Sequence, residues 1–341
     1  MAAEAHAGKP ERVERVVTLR DIEAARARIA GGVVATPLRH STFLSQKTSY
    51  PVFLKLETRQ TTGSFKLRGA TNALLSLPDE DRARGLVAVS TGNHGRAVAY
   101  AARDLGVRAV VCMSSLAPSN KVEGIRKLGA EVRIIGRSQD EAQIEVERLI
   151  REQCFTQIPP FDHPDVIVGQ GTIGLEIVEA LPDVETVLVP LSGGGLAAGV
   201  AAAVKAKRPT ARVIGVSMAH GAAMHASLAA GRPVEVEEVE TLADSLGGGV
   251  GISNQHTFRM CRELLDDVTL VDEEEIAAGI RHAFEMEGEQ VEGAGAVAIA
   301  SLLFDKVRLR GPGVALLSGR NIDSDLHRDI VTGRWPRKAV A

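Results

Sequence analysis

Four short stretches of this 341-residue chain hold residues whose types and spacing could do chemistry. In TTGSFKLRGA (61–70), Lys66 falls on the apolar face of a helix expected between Ser64 and Pro78, in step with Ala70, Ala73, Leu74 and Leu77. A lysine there is either a solvated residue that snorkels outward or a desolvated amine whose lowered pKa makes it a nucleophile and base. SGGGLAAG (192–199) sets three consecutive glycines between an apolar strand and an alanine-rich helix. That is either a flexible turn or a cradle in which backbone N–H groups and a helix start hold one phosphate. STGNHGRA (90–97) offers hydroxyls, an amide and backbone donors at another helix start, which suits a carboxylate. SGRNID (318–323) closes the last apolar strand with a small hydroxyl.

A fifth stretch, GQGTIG (169–174), has the spacing of a dinucleotide-binding loop, following DVIV and opening LEIVEAL. That reading also needs a carboxylate at the tip of the next strand, about 20 residues on, to hold a ribose hydroxyl. The next strand ends VLVPLSGGG, so the second element is missing. No triphosphate P-loop pattern occurs. There is no H-E-x-x-H, and the nine histidines do not group with carboxylates at ligand spacing, so no metal site is expected.

Loops of this kind must be held by a frame. Apolar, β-branched runs at 86–90, 108–113, 130–136, 185–190, 211–218 and 313–319 alternate with helical patterns, which predicts an α/β protein with parallel sheets flanked by helices. In such sheets ligands gather at the carboxyl ends of the strands, where the stretches above lie. The proline-rich CFTQIPPFDHPD (154–165) is the nearest thing to a domain boundary. A net charge of -3 and 3% aromatic content give no footprint for nucleic acid or an anionic membrane. Apolar runs such as LAAGVAAAV are too short to span a bilayer, and the opening residues lack a signal-peptide core. Cys112, Cys154 and Cys261 are odd in number and without ligand spacing, which fits reduced thiols in a cytoplasmic protein.

GSFKLRGA, STGNHGRAVAYAA, GQGTIGLEI, SGGGLAAG, ADSLGGG, VEGAGAVAIA and SGRNID, in this order over about residues 16 to 330, resemble the threonine dehydratase and serine racemase family of fold-type II pyridoxal-phosphate enzymes. SGRNID and ADSLGGGVG look most like its hydroxyectoine-utilisation dehydratase branch. The resemblance implies a two-domain, tryptophan synthase β-like fold. Residues 15–70 and 161–330 would form a large cofactor-binding domain and 71–160 a small mobile one, with tails at 1–14 and 335–341. It implies pyridoxal 5'-phosphate as cofactor, a small amino acid as substrate, and a homodimer. By position, Lys66 would carry the cofactor and Phe65 would pack on its ring. Asn93 would bond the ring oxygen, and Gly193, Gly194, Gly195 and Leu196 would hold the phosphate. Ser318 would face the pyridine nitrogen. Ser90, Thr91, Asn93 and His94 would surround the substrate carboxylate, and GQGTIG would be a structural turn.

The activity implied is removal of the β-hydroxyl of a 3-hydroxy amino acid, giving an oxo acid and ammonia. Racemisation or β-replacement is the alternative within enzymes; racemases of the family use a serine where this chain has Thr91, which keeps a hydroxyl but adds a methyl and so ranks racemisation below elimination. A non-catalytic ligand-binding protein is the alternative outside them. Relatives with a divalent-cation site carry carboxylates where Ser217 and Ala223 stand here, so that site is expected to be absent. Arg320 replaces a glycine found in many relatives and either points to solvent or reaches the cofactor rim or an anionic substrate.

Overall fold

A computed structural model describes residues 17–336 apart from 91, 116, 118 and 138. Thr91 and the expected tails, except Trp335 and Pro336, lie outside the described residues. Among the described residues the strands are β1 (Leu38–Ser41), β2 (Val52–Leu56), β3 (Leu86–Val89), β4 (Ala109–Met113), β5 (Glu131–Ile134), β6 (Thr156–Gln157), β7 (Thr186–Pro190), β8 (Arg212–Met218), β9 (Asp267–Val271) and β10 (Gly313–Leu317). They form a six-stranded sheet, order β1-β2-β10-β7-β8-β9, and a four-stranded sheet, order β5-β4-β3-β6. Every pairing is parallel except β1 with β2.

Period-two alternation explains how these strands are covered. In the larger sheet Leu188, Ala315 and Leu317 face one apolar core, built largely on helix Gly293–Leu303, while Val187, Val189, Val314 and Leu316 face another, built on helix Gly195–Lys207. In the smaller sheet Leu86, Ala88, Val111 and Met113 face one core while Val87, Val110 and Cys112 face the other. Burial on both sides leaves near-continuous apolar runs such as TVLVP, as parallel strands require.

The glycines of GQGTIG are not in a turn. They lie inside one helix, Pro164–Ala180, which also absorbs DVIV, so the strand-then-helix reading of this stretch is corrected. The physical reason is close packing of helices. A Cβ on Gly169 would come within 2.7 Å of the Gly69 Cα, one on Gly171 within 3.0 Å of the Gly199 carbonyl, and one on Gly174 within 2.7 Å of the Val200 carbonyl. The triad lets this helix touch both Lys66–Ser76 and Gly195–Lys207 at backbone distance.

Helix Lys66–Ser76 starts beside the larger sheet and buries Leu67, Ala70, Ala73 and Leu74 in the core of the smaller one. It is nearly all buried, not amphipathic. Its Arg68 is 1% exposed and forms bidentate pairs with Glu57 (2.8 and 2.9 Å) and Glu176 (2.6 and 2.8 Å). Lys55, from β2, closes the network on Glu176 at 2.5 Å. Two cations and two anions therefore fix β2, the Lys66 helix and helix Pro164–Ala180 to one another.

Candidate active site

The carboxyl ends of β2, β3, β7 and β10 deliver four loops to one region. The loop after β2 and the one after β10 are joined by backbone. Ser64 and Gly319 form an antiparallel bridge, Phe65 N–H donates to the Ser318 carbonyl at 3.0 Å, and Arg320 N–H donates to the Gly63 carbonyl at 2.9 Å. Lys66, the first residue of its helix, is thereby set next to Ser318. Its side chain is half-buried and Nζ donates to the Pro160 carbonyl at 2.7 Å, 5.2 Å from the Phe65 ring centre. Burial lowers the Lys66 ammonium to about 8, with the nearby Glu292 carboxyl opposing the shift. Of the two readings open from sequence, the desolvated amine fits these surroundings.

The glycine stretch after β7 forms the start of helix Gly195–Lys207, with Gly194 at its cap. Gly194 has φ +91°, and a Cβ there would sit 2.8–3.0 Å from Met224, Cys261 and Thr257. Side chains on Gly193 and Gly195 would collide with Phe161. These positions need glycine, which leaves the amides of the first turn uncovered by side chains and without helical acceptors. Leu196 continues the turn and is buried.

After β3, Ser90 Oγ accepts from Gly92 N–H at 3.2 Å, and helix Asn93–Asp104 begins. Asn93 Nδ2 donates to Glu292 Oε1 at 2.7 Å, and its Oδ1 accepts from Asn321 Nδ2 at 2.6 Å. His94 bonds the Ile158 carbonyl through Nε2 at 2.8 Å, as a structural histidine does. Burial, and then the Lys66 charge, lower its pKa to about 3. The ring is therefore neutral near pH 7. Since a carbonyl only accepts, the proton is on Nε2, and Nδ1 is a buried acceptor with no partner among the described residues. Ser64 Oγ and Thr62 Oγ1 are buried without partners in the same way. Ser318 Oγ makes one long bond, 3.3 Å, to the Ala294 carbonyl.

The structure thus brings together the loops that carry Phe65, Lys66, Ser90, Asn93, His94, Gly193, Gly194, Gly195, Leu196 and Ser318. Thr91 is outside the described residues. Sequence reasoning missed Glu292, Asn321, Arg96 and the Pro160 carbonyl. Glu292 is 4% exposed, caps helix Gly293–Leu303, and accepts from Asn93. Its signal was a single carboxylate heading a tract of small residues.

Burial, then the charge of Asp244, raise Glu292 to about 7, with Asn93 opposing. The folded chain therefore holds a proton between about 4.5 and 7 that an unfolded chain releases, so this group makes stability fall as pH rises across that window. Glu292→Gln keeps an acceptor for Asn93 and removes the titration. Urea midpoints taken at both ends of the window are expected to fall less with rising pH in the variant than in the parent. Equal slopes would contradict the assignment.

Among the described residues, no three His, Cys, Asp or Glu converge to hold a metal ion, and no helix is long and apolar enough to cross a membrane. Cys112, Cys154 and Cys261 are free thiols.

Residues 29–319 match the family model described as pyridoxal-phosphate dependent enzyme. The chain is 64% identical over 318 residues to a putative threonine dehydratase of Sinorhizobium fredii, covering 93% of this chain and 96% of that one. It is 43% identical to an L-threonine ammonia-lyase of Thermotoga maritima, covering 93% and 78%. Among solved structures, maize serine racemase superposes with a TM-score of 0.88 at 32% identity, covering 94% of this chain and 98% of that one. The processed form of threonine deaminase isoform 2 from Solanum lycopersicum gives 0.84 at 35%, covering 92% and 91%.

Proposed function

Because the chain belongs to the pyridoxal-phosphate dependent enzyme family, we propose that it is a dehydratase removing the β-hydroxyl of a threonine- or serine-like, or hydroxyectoine-derived, 3-hydroxy amino acid to give an oxo acid and ammonia. The observation that carries this reading is the lysine of lowered pKa that backbone bonds between the loops after β2 and β10 set beside Ser318. The residues present fit the cofactor. The glycine turn leaves amides where any Cβ would intrude, and Ser64, Thr62 and His94 keep buried polar atoms with no partner of their own.

When bound, pyridoxal phosphate supplies an electron sink that acidifies the hydrogen on the substrate's α-carbon. The amides of Gly193 to Leu196 would hold its phosphate, aided by the positive end of the helix. Ser318 would present a neutral hydroxyl to the ring nitrogen. A carboxylate there would favour a charged ring; the hydroxyl does not, which favours early departure of the β-substituent over transamination. The loop from Ser90 to His94 orients the substrate carboxylate by amides and hydroxyls, and Thr91 is proposed to face the substrate opposite Lys66. With the cofactor bound, a neutral Lys66 would take the α-proton at Nζ. Its lowered pKa keeps a useful fraction of the amine uncharged near neutral pH.

The test is release of oxo acid from serine, threonine, 3-hydroxyaspartate and hydroxyectoine-derived amino acids by the holoenzyme. Release from at least one supports the reading. Interconversion of enantiomers without oxo acid from any of them would replace it with racemisation.

A further inference from the structure

A cavity of about 490 Å³ opens beside the candidate active site, lined by Arg59, Arg96, Lys121, Glu289, Arg320 and Asn321 among others. Part of its wall comes from the elements that build the site. Arg96 is three residues after Asn93 on the same helix, Arg320 is two residues after Ser318, and Asn321 links the two by bonding Asn93. None of the glycine cradle lines it, so it is separate from the place proposed for the cofactor phosphate.

The cavity's cations are unequally matched. Arg59 is paired with Glu289 at 2.5 Å and Lys121 with Asp244 at 2.5 Å. Arg96 instead donates to the neutral carboxamide of Asn321, at 2.8 Å. The exposed Arg320 guanidinium has no hydrogen-bond or ion-pair partner among the described residues. Burial, and then the neighbouring Arg320 charge, lower the Arg96 guanidinium, with only Glu292 acting the other way. Two guanidiniums that repel each other across one cavity, neither held by a carboxylate, form a ready fork for an external carboxylate.

We propose that Arg96 and Arg320 bind a second carboxylate on the substrate's side chain, making the preferred substrates 3-hydroxy dicarboxylic amino acids of the 3-hydroxyaspartate type. The inference rests on the dehydratase reading of the same site. The reaction stays balanced. The Cα–H and Cβ–O bonds break and the hydroxyl leaves as water. One water then returns to hydrolyse the resulting imine, so substrate becomes a 2-oxo diacid plus ammonia with no oxidant. A side-chain ammonium would be repelled by the same pair.

The experiment compares kcat/KM for 3-hydroxyaspartate and for threonine in the holoenzyme, Arg320→Gly and Arg96→Gln. A parallel titration measures binding of the unreactive 2-methylaspartate. The ratio of 3-hydroxyaspartate to threonine is expected to fall about tenfold or more in each variant, through KM, with a matching loss in 2-methylaspartate affinity, the scale of one lost charged hydrogen bond. An unchanged ratio in both variants overturns the proposal, as does a parent enzyme that releases oxo acid from threonine but not from 3-hydroxyaspartate. Release from neither of these two, with oxo acid formed from serine or a hydroxyectoine-derived amino acid, overturns this inference alone; release from none of the four overturns the dehydratase reading itself.

Discussion

Lys66→Ala is expected to purify without the visible absorbance of bound cofactor and to release oxo acid about a thousandfold more slowly or worse. The reasoning starts from where the amine sits. Nζ makes one hydrogen bond, to the Pro160 carbonyl, so its removal leaves the surrounding ionic network and glycine turn intact. The variant should therefore fold, and its urea midpoint should stay close to the parent's. What it loses is a group that must be neutral to attack a carbonyl carbon and later to accept a proton. Desolvation lowers the ammonium to about 8, so attachment of added cofactor to apoenzyme should speed up as pH rises towards that value. Lys66→Arg should not rescue either property, because a guanidinium stays charged throughout this range. A coloured, active Lys66→Ala would remove the lysine from the mechanism.

Arg68→Met should cost about 3–5 kcal/mol of stability, the range for breaking a buried ion pair from one side. Arg68 and Glu57 are both almost wholly inaccessible, and Arg68 also bonds Glu176, Thr172 and the Val34 carbonyl. Burial alone would raise the Glu57 pKa, but Arg68, with help from Lys55 and Thr36, holds it below the usual carboxylate value. Without the guanidinium, Lys55 is the one cation left against two carboxylates. The sign with pH follows. The pairing contributes above the unfolded carboxylate pKa and is lost as pH falls through the lower folded one. A second change, Glu57→Gln, should recover part of the loss, since it removes the stranded charge, and urea unfolding of the two single variants and the double measures this coupling. A loss below about 1 kcal/mol in Arg68→Met would show that the network is replaceable by packing.

The frame was legible because parallel strands covered on both faces leave near-continuous apolar runs, and β3, β4, β7, β8 and β10 all fell on such runs, while β5, a partly exposed edge strand, was legible in its β-branched residues. β2 escaped because VFLKL carries Lys55 at a fully buried position. Glu176, 121 residues further on, and the Thr36 carbonyl make that burial tolerable. β6 has two residues and no pattern to read. GQGTIG misled because glycine serves two needs that look alike in one dimension, tight turning and close approach. Here Gly199 and Gly69, far apart in the chain, show that approach was the need. At the site, the lysine and glycine turn were visible in local sequence. Glu292 was not, because its role depends on meeting Asn93 across 199 residues. Arg96 carried no local signal, because its place depends on meeting Asn321 and Arg320 from the far end of the chain.

The central claim, elimination with release of nitrogen, is tested most directly by counting products from one hydroxy amino acid. Holoenzyme supplied with threonine or 3-hydroxyaspartate should yield 2-oxo acid and ammonia in equal amounts, both matching the substrate consumed. Substrate whose configuration scrambles while neither product accumulates would contradict the account.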